Sequence, residues 1–258
     1  MHSFIDQARR VADLWAGSDL LSHLISQAVR RVQAWDGAEM IFPSVAGNDP
    51  IPPGLPNRFV CRAPSDQADE LARALKAEVE AEWNRRVLAT VDQLVLHGLK
   101  PAEEIWRADG APGTCQTDHL LEIAWSWVPE NGSYAETARE GARQFVASRR
   151  FRPFPQIAER GEKCAVCGER AALPDGVRTR VRESWEGAAK RSEKTLDEPY
   201  LRTGQGRLCL VCSTKRFYPI QCGRRSWFAS FQDFEPSEDK PYFALVALDG
   251  DRMGDILG

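Results

Sequence analysis

The chain has 258 residues, 43% hydrophobic and 28% charged, with a formal net charge of −3. That length supports one or two domains plus a small module around a real core, and no apolar run approaches the ~20 residues of a membrane span. The opening Met1-His2-Ser3-Phe4-Ile5-Asp6-Gln7 has neither a basic nor an apolar leader region, so the expectation is a soluble, cytoplasmic protein with reduced cysteines and no membrane contact.

The charge is uneven. Residues 149–227 hold 18 Lys+Arg against 9 Asp+Glu, and the remainder holds 16 against 28. A basic third therefore accompanies an acidic body. It could be a solvated face, a surface for phosphate backbones, or a module that docks on the acidic part.

In chain order, residues 3–14 read as a helix, because Phe4, Ala8, Val11 and Trp15 recur at helical spacing. Ala16-Gly17-Ser18 reads as an interruption, with Ser18 capping a second helix whose apolar stripe is Leu20, Leu21, Leu24, Ile25, Ala28, Val29 and Val32. Gly37 is the expected stop. Residues 40–42 and 59–61 read as short strands around a Pro/Gly/Asn-rich loop. A long helix follows, capped by Ser65 or Asp66, with Leu71, Leu75, Val79, Trp83, Val87, Val91, Leu94 and Val95 inward. His97 and Gly98 end it, and His97 there fits a last-turn residue complementing the helix dipole. Residues 119–128 alternate as a half-buried strand would. A helix over 134–149 carries Ala138, Ala142, Phe145 and Val146 inward. Residues 151–155 are a proline-broken linker, and residues 177–194 are charged and partly helical. Beyond an aromatic and acidic linker, residues 242–248 form a buried-type strand.

Two Cys-x-x-Cys knuckles stand out: Cys164-Ala165-Val166-Cys167 and Cys209-Leu210-Val211-Cys212. The two-residue gap lets one tight turn aim two thiolates at one Zn²⁺ about 2.3 Å away. Gly168 relieves the backbone after the first knuckle, and Ser213 holds the matching place after the second. The separation of the knuckles exceeds the usual ribbon spacing of ~15–20 residues, so an insertion divides the module. A pair of disulfides, or one redox motif beside a chance pair, are the alternatives. Against them, neither knuckle lies in a βαβ context and nothing marks secretion. Cys61, Cys115 and Cys222 are left without a role.

Asp249-Gly250-Asp251 closes the last strand. Two carboxylates two residues apart can share Mg²⁺, with Gly250 keeping the backbone clear for a nucleotide phosphate. Asp-Gly is also the commonest hairpin turn, and on the residues alone the turn is the more frequent outcome. Similarly, Asp13 to Ser18 could offer a helix N-terminus to a phosphate, but a capped kink explains it more simply. The four histidines are scattered, which disfavours a histidine metal centre.

Together these stretches resemble a family. Phe4-Ile5, Ala8-Arg9 and Asp13-Leu14-Trp15-Ala16-Gly17-Ser18, with Leu20-Leu21-Ser22, resemble the opening helices of the first palm domain in the large subunit of type III-B (Cmr-type) CRISPR effector complexes. Leu55-Pro56-Asn57-Arg58-Phe59 is similar to a strand-entry motif of that domain, and the knuckles are similar to its zinc-binding insertion. Ala247-Leu248-Asp249-Gly250-Asp251-Arg252-Met253-Gly254 resembles the start of its second, catalytic palm.

The resemblance implies an α+β chain: an incomplete ferredoxin-like palm over 1–150 whose leading strand is missing, a basic zinc-ribbon-like module over 151–227, and a linker with the first strand of a truncated second palm over 228–258. It implies an antiviral subunit that works with guide RNA, target RNA and other subunits. In that family ATP is joined into cyclic oligoadenylate on metal ions, Mg²⁺ or Mn²⁺. Asp249 and Asp251 would be catalytic metal ligands, Gly250 and Gly254 would let phosphates approach, and Trp15, Gly17 and Ser18 would lie near a nucleotide. The family's Gly-Gly-Asp-Asp hairpin and His-Asp nuclease motif do not occur in the sequence, so the expectation is a fragment inactive alone. The alternative is a non-catalytic, zinc-containing RNA-binding or scaffold module.

Overall fold

A computed structural model describes residues 2–45, 49–101, 116–118, 120–151, 159–174, 178–195, 201 and 206–223. The elements are α1 (His2–Asp6), α2 (Val11–Gln33), β1 (Glu39–Phe42), β2 (Val60–Arg62), α3 (Ala68–Leu96), α4 (Tyr134–Ser148) with a 3₁₀ turn Arg149–Phe151, α5 (Arg178–Thr195) and α6 (Leu210–Gln221). The chain is α+β, mostly helical, and its one sheet among the described residues has two strands. β1 and β2 run antiparallel, pairing Glu39 with Arg62 and Met40 with Cys61, with an irregularity before Phe42 meets Val60.

The core lies where α2, α3 and α6 meet. Leu20, Leu24, Val29 and Val32 of α2 and Leu71, Trp83, Val87 and Leu94 of α3 are buried with Leu210, Phe217 and Tyr218 of α6. Each such apolar side chain contributes roughly 1.5–3 kcal/mol by leaving water. Apolar residues recur every three or four positions along α2 and α3, which fixes those faces inward. No helix among the described residues is long and apolar enough to cross a membrane.

Several local expectations are corrected. The first helical break falls at residues 7–10, and α2 runs unbroken through Gly17 and Ser18. Ser18 is therefore an exposed mid-helix residue, not an N-cap. The physical reason is the neighbour of Gly17: a Cβ there would stand 2.9 Å from Lys215 Cδ, so the glycine admits a crossing side chain and does not stop the helix. α3 starts after Gln67, whose side chain accepts the Trp35 indole N–H at 2.8 Å, in place of a Ser65 or Asp66 cap. Val95 is exposed, because the inward face of α3 ends at Leu94.

Residues 120–130 belong to no strand. They run beside α4, where Ser126 Oγ donates to Gly141 O at 3.2 Å, and Trp125 and Trp127 face outward. α4 has the anticipated span, and Ser133 and Glu136 form a reciprocal capping box at its start. None of its residues is buried, so Ala138, Ala142, Phe145 and Val146 are not core. The strand 242–248 and the whole of 228–258 lie outside the described residues, as do Cys115 and His119.

Candidate metal centre

The first knuckle is a tight loop. Cys164 N donates to Arg170 O at 2.8 Å, Lys163 and Ala171 form an antiparallel bridge, and Gly168 N donates back to Cys164 O at 2.9 Å. Gly168 takes φ +69°, a left-handed conformation that glycine adopts without a Cβ penalty. Lys163 Nζ donates to the carbonyls of Glu159 and Glu169 at 2.8 and 3.0 Å, tying the loop's two ends.

The second knuckle pairs with the first along its backbone. Ala165 N donates to Arg207 O at 2.7 Å and Leu173 N to Leu208 O at 2.8 Å. Cys209 is the N-cap of α6, its sulfur accepting from Cys212 N at 3.4 Å. Ser213 therefore continues a helix and is no counterpart of Gly168. A helix N-terminus also favours a thiolate electrostatically.

These supports bring the Sγ atoms of Cys164, Cys167, Cys209 and Cys212 within 4.8 Å of one another, with Cys167 and Cys209 3.8 Å apart. None is disulfide-bonded. Four sulfurs about 2.3 Å from one tetrahedral ion stand about 3.8 Å apart, which is the Cys167–Cys209 separation. Soft thiolates alone also match zinc's preference over hard cations. The thiols share their protons unequally. Hydrogen bonds from Cys164, Cys209 and Cys212 hold the Cys167 thiol far below its ordinary value. Cys167 pushes Cys164 up, but Cys209 and Cys212 bring it down to about 7. Burial raises Cys209, and hydrogen bonding to Cys164 and Cys167 raises Cys212. Zinc held there would supply structural cross-linking of the two knuckles.

Sequence reasoning missed the residues behind the sulfurs. The Gln116 amide donates to Ala171 O at 2.9 Å and Glu159 Oε2 at 2.7 Å, and its oxygen accepts from Leu210 N at 2.7 Å. One buried side chain thereby clamps both knuckles. Gln116 lies far from either knuckle in sequence, so no local signal marks it.

The helix leaving the second knuckle carries two buried cations into the body. Arg216, 3% exposed, donates to both oxygens of Asp13, 2% exposed, at 3.0 and 2.6 Å. Burial pushes the Asp13 carboxyl up, yet the bonds and charge of Arg216, with Arg10 and Lys215, hold it below the ordinary carboxylate value. Lys215 Nζ donates to Phe4 O at 2.6 Å and to Gln7 O, and lies 5.0 Å from the centre of the Phe4 ring. Burial lowers its pKa. The Lys215-Arg216 doublet inside an otherwise apolar stretch was the available signal.

A second charged cluster joins the same three helices. Glu82, 1% exposed, accepts from Arg86 Nε at 2.6 Å, lies 2.6 Å from His23 Nε2, and pairs with Arg85. Arg86 lies over the Tyr218 ring at 5.6 Å. His97 is the C-cap of α3, stacked on Phe217. Burial and then the charge of Arg191 lower its pKa. The cation serving the end of α3 is Arg191, which donates to His97 O at 2.8 Å, and not His97 itself.

Of the anticipated nucleotide contacts, Trp15 is half-buried, Gly17 is buried and Ser18 is exposed on α2. Asp249, Gly250, Asp251 and Gly254 lie outside the described residues. The cysteines are the one group of three or more His, Cys, Asp or Glu residues among the described residues that could hold a metal ion.

No curated protein matches the chain. Residues 1–87 match the family model described as CRISPR-associated protein Cmr2, N-terminal. The matched stretch covers α1, α2, β1, β2 and most of α3, and it contains Asp13, Gly17 and His23, which meet Arg216, Lys215 and Tyr218 of α6. Over those 87 residues, about a third of the chain, the protein is similar to the N-terminal region of that CRISPR-associated family.

Proposed function

We propose that the chain works in the large subunit of an RNA-guided type III-B antiviral complex, whose complete active unit makes cyclic oligoadenylate from ATP once target RNA is bound. The observation that carries this is the family match over 1–87 joined to a four-cysteine centre on the same core. The palm-like and zinc-ribbon-like character of the two parts belongs to this reading. So do guide RNA, target RNA and other subunits as partners.

In this reading Asp249 and Asp251 hold Mg²⁺ or Mn²⁺ at the catalytic palm, Gly250 and Gly254 admit phosphates, and ATP passes near Trp15 and Ser18. Gly17 supports that surface from behind, because its open side is filled by Lys215. Metal ions held there would stabilise charge as a ribose hydroxyl attacks an α-phosphate and pyrophosphate leaves.

The test is reconstitution with the remaining subunits, guide and target RNA, ATP and Mg²⁺. Asp249→Ala is expected to lower cyclic product at least about 100-fold while zinc content and assembly stay unchanged. Undiminished product would overturn the role of Asp249. The chain alone is expected to make no cyclic product, since the Gly-Gly-Asp-Asp carboxylates do not occur in its sequence; product from the purified chain would contradict this.

A non-catalytic scaffold is favoured by one observation: the candidate metal site among the described residues is all sulfur and half-built into the core. Assembly and RNA binding that survive Asp249→Ala, with no cyclic product from the unaltered complex either, would select it.

A further inference from the structure

We propose that metal occupancy of the four cysteines sets the order of the α1–α2 junction, residues 4–17, with Lys215 and Arg216 as the transmitting side chains. The inference rests on the cysteines being a metal site and goes beyond any structural role confined to the knuckles.

The second knuckle and the two cations belong to one helix. Cys209 caps α6 and Cys212 lies in its first turn. Lys215 and Arg216 follow Cys212 by three and four residues, the spacings that share a helix face. A metal that fixes Cys212 therefore fixes where both cations emerge.

Those cations hold the junction at three points. Lys215 Nζ takes the Phe4 and Gln7 carbonyls, left without helical partners where α1 ends. Its stem fills the space left open by Gly17, while Arg216 grips Asp13 in the first turn of α2. The first knuckle adds another hold: Glu169, two residues past Cys167, accepts from Gln7 Nε2 at 2.9 Å.

Besides these holds, the junction has the buried Phe4 ring, packed in the core cluster, and the Arg10–Asp13 pair at 3.4 Å. α1 is five residues long, too short to persist by its own backbone bonds. Arg10, the N-cap of α2, makes no side-chain cap bond. Loss of the metal frees the knuckles, lets the start of α6 unwind, and leaves two unpartnered carbonyls and a buried carboxylate. The junction then loosens with the module.

The experiment is hydrogen exchange followed by mass spectrometry on the full chain, zinc-loaded and after chelation, with zinc measured in parallel. Chelation is expected to speed exchange at residues 4–17 at least about tenfold, together with 162–172. In zinc-loaded Lys215→Met, residues 4–17 should already exchange fast, while zinc content and exchange at 162–172 match the unaltered protein. Chelation of that variant should then add less than about twofold at residues 4–17. Unchanged exchange at 4–17 on chelation, or wild-type protection in Lys215→Met, overturns the inference.

Should Lys215→Met fail to fold, Glu169→Ala at an exposed position is read instead. It must speed exchange at residues 7–10 severalfold with zinc retained, and no change there overturns the inference. Absence of zinc from the purified chain sinks the metal assignment; zinc present without coupling sinks this inference alone.

Discussion

Asp13 shows how a buried charge is tolerated. Removing a carboxylate from water is costly, and the two Arg216 bonds offset that cost only while both partners remain. Asp13→Ala is expected to destabilise by about 3–5 kcal/mol, chiefly by stranding Arg216, as read from urea midpoints. The same pair sets an acid limb. The Asp13 pKa is lower in the folded chain than its ordinary 3.8, so below about that pH the unfolded state binds the proton first. Its contribution is complete above pH 3.8 and is lost as pH falls through the depressed folded value. Asp13→Asn should flatten that part of the stability–pH curve; an unchanged slope would refute the assignment. Gly17 belongs to the same contact. Gly17→Ala gains about 1 kcal/mol of helix propensity but puts its Cβ 2.9 Å from a lysine carbon anchored at its far end. Overpacking of about 1–3 kcal/mol predicts a lower thermal midpoint, which calorimetry would measure.

At the scale of elements, the knuckles and α4 are held by opposite means. The knuckles depend on the metal: Cys167→Ser is expected to lower bound zinc well below one per chain and to reduce stability, seen by metal analysis and a shifted unfolding curve. α4 depends on its own sequence. Ser133→Ala removes the capping box and should cost about 1 kcal/mol locally, speeding exchange within α4 while the global midpoint hardly moves, since none of its residues is buried. Legibility followed the same division. α2 and α3 carry apolar faces several turns long, so periodicity found them, and Cys-x-x-Cys found the sulfurs because a turn and a metal radius fix that spacing. The break at Gly17 was misplaced because a glycine required by a distant lysine looks, locally, like a helix stop. The 119–128 alternation fits a strand, but pattern alone does not provide a pairing partner. Gln116 and the Asp13–Arg216 pair were illegible for the same reason: the partners of Gln116 lie 43, 55 and 94 residues away, and Arg216 lies 203 residues from Asp13.

Across the whole molecule, the stretch defined by family and the body defined by packing have different edges. The family match stops at residue 87, but Leu20, Leu24 and Trp83 share one buried cluster with Leu173, Trp185, Leu208 and Phe217. The basic surplus of residues 149–227 is partly spent on this contact, since Lys215 and Arg216 point into the body and Arg191 holds the end of α3.

Because α6 is inserted between α2 and α3, the homologous third of the chain is no autonomous piece. Expressed as residues 1–101 it would present a raw hydrophobic cleft where Phe217 and Tyr218 belong. Such a truncate should bind a hydrophobic dye and self-associate on a sizing column, and a monodisperse, cooperatively melting product would show that α6 is dispensable.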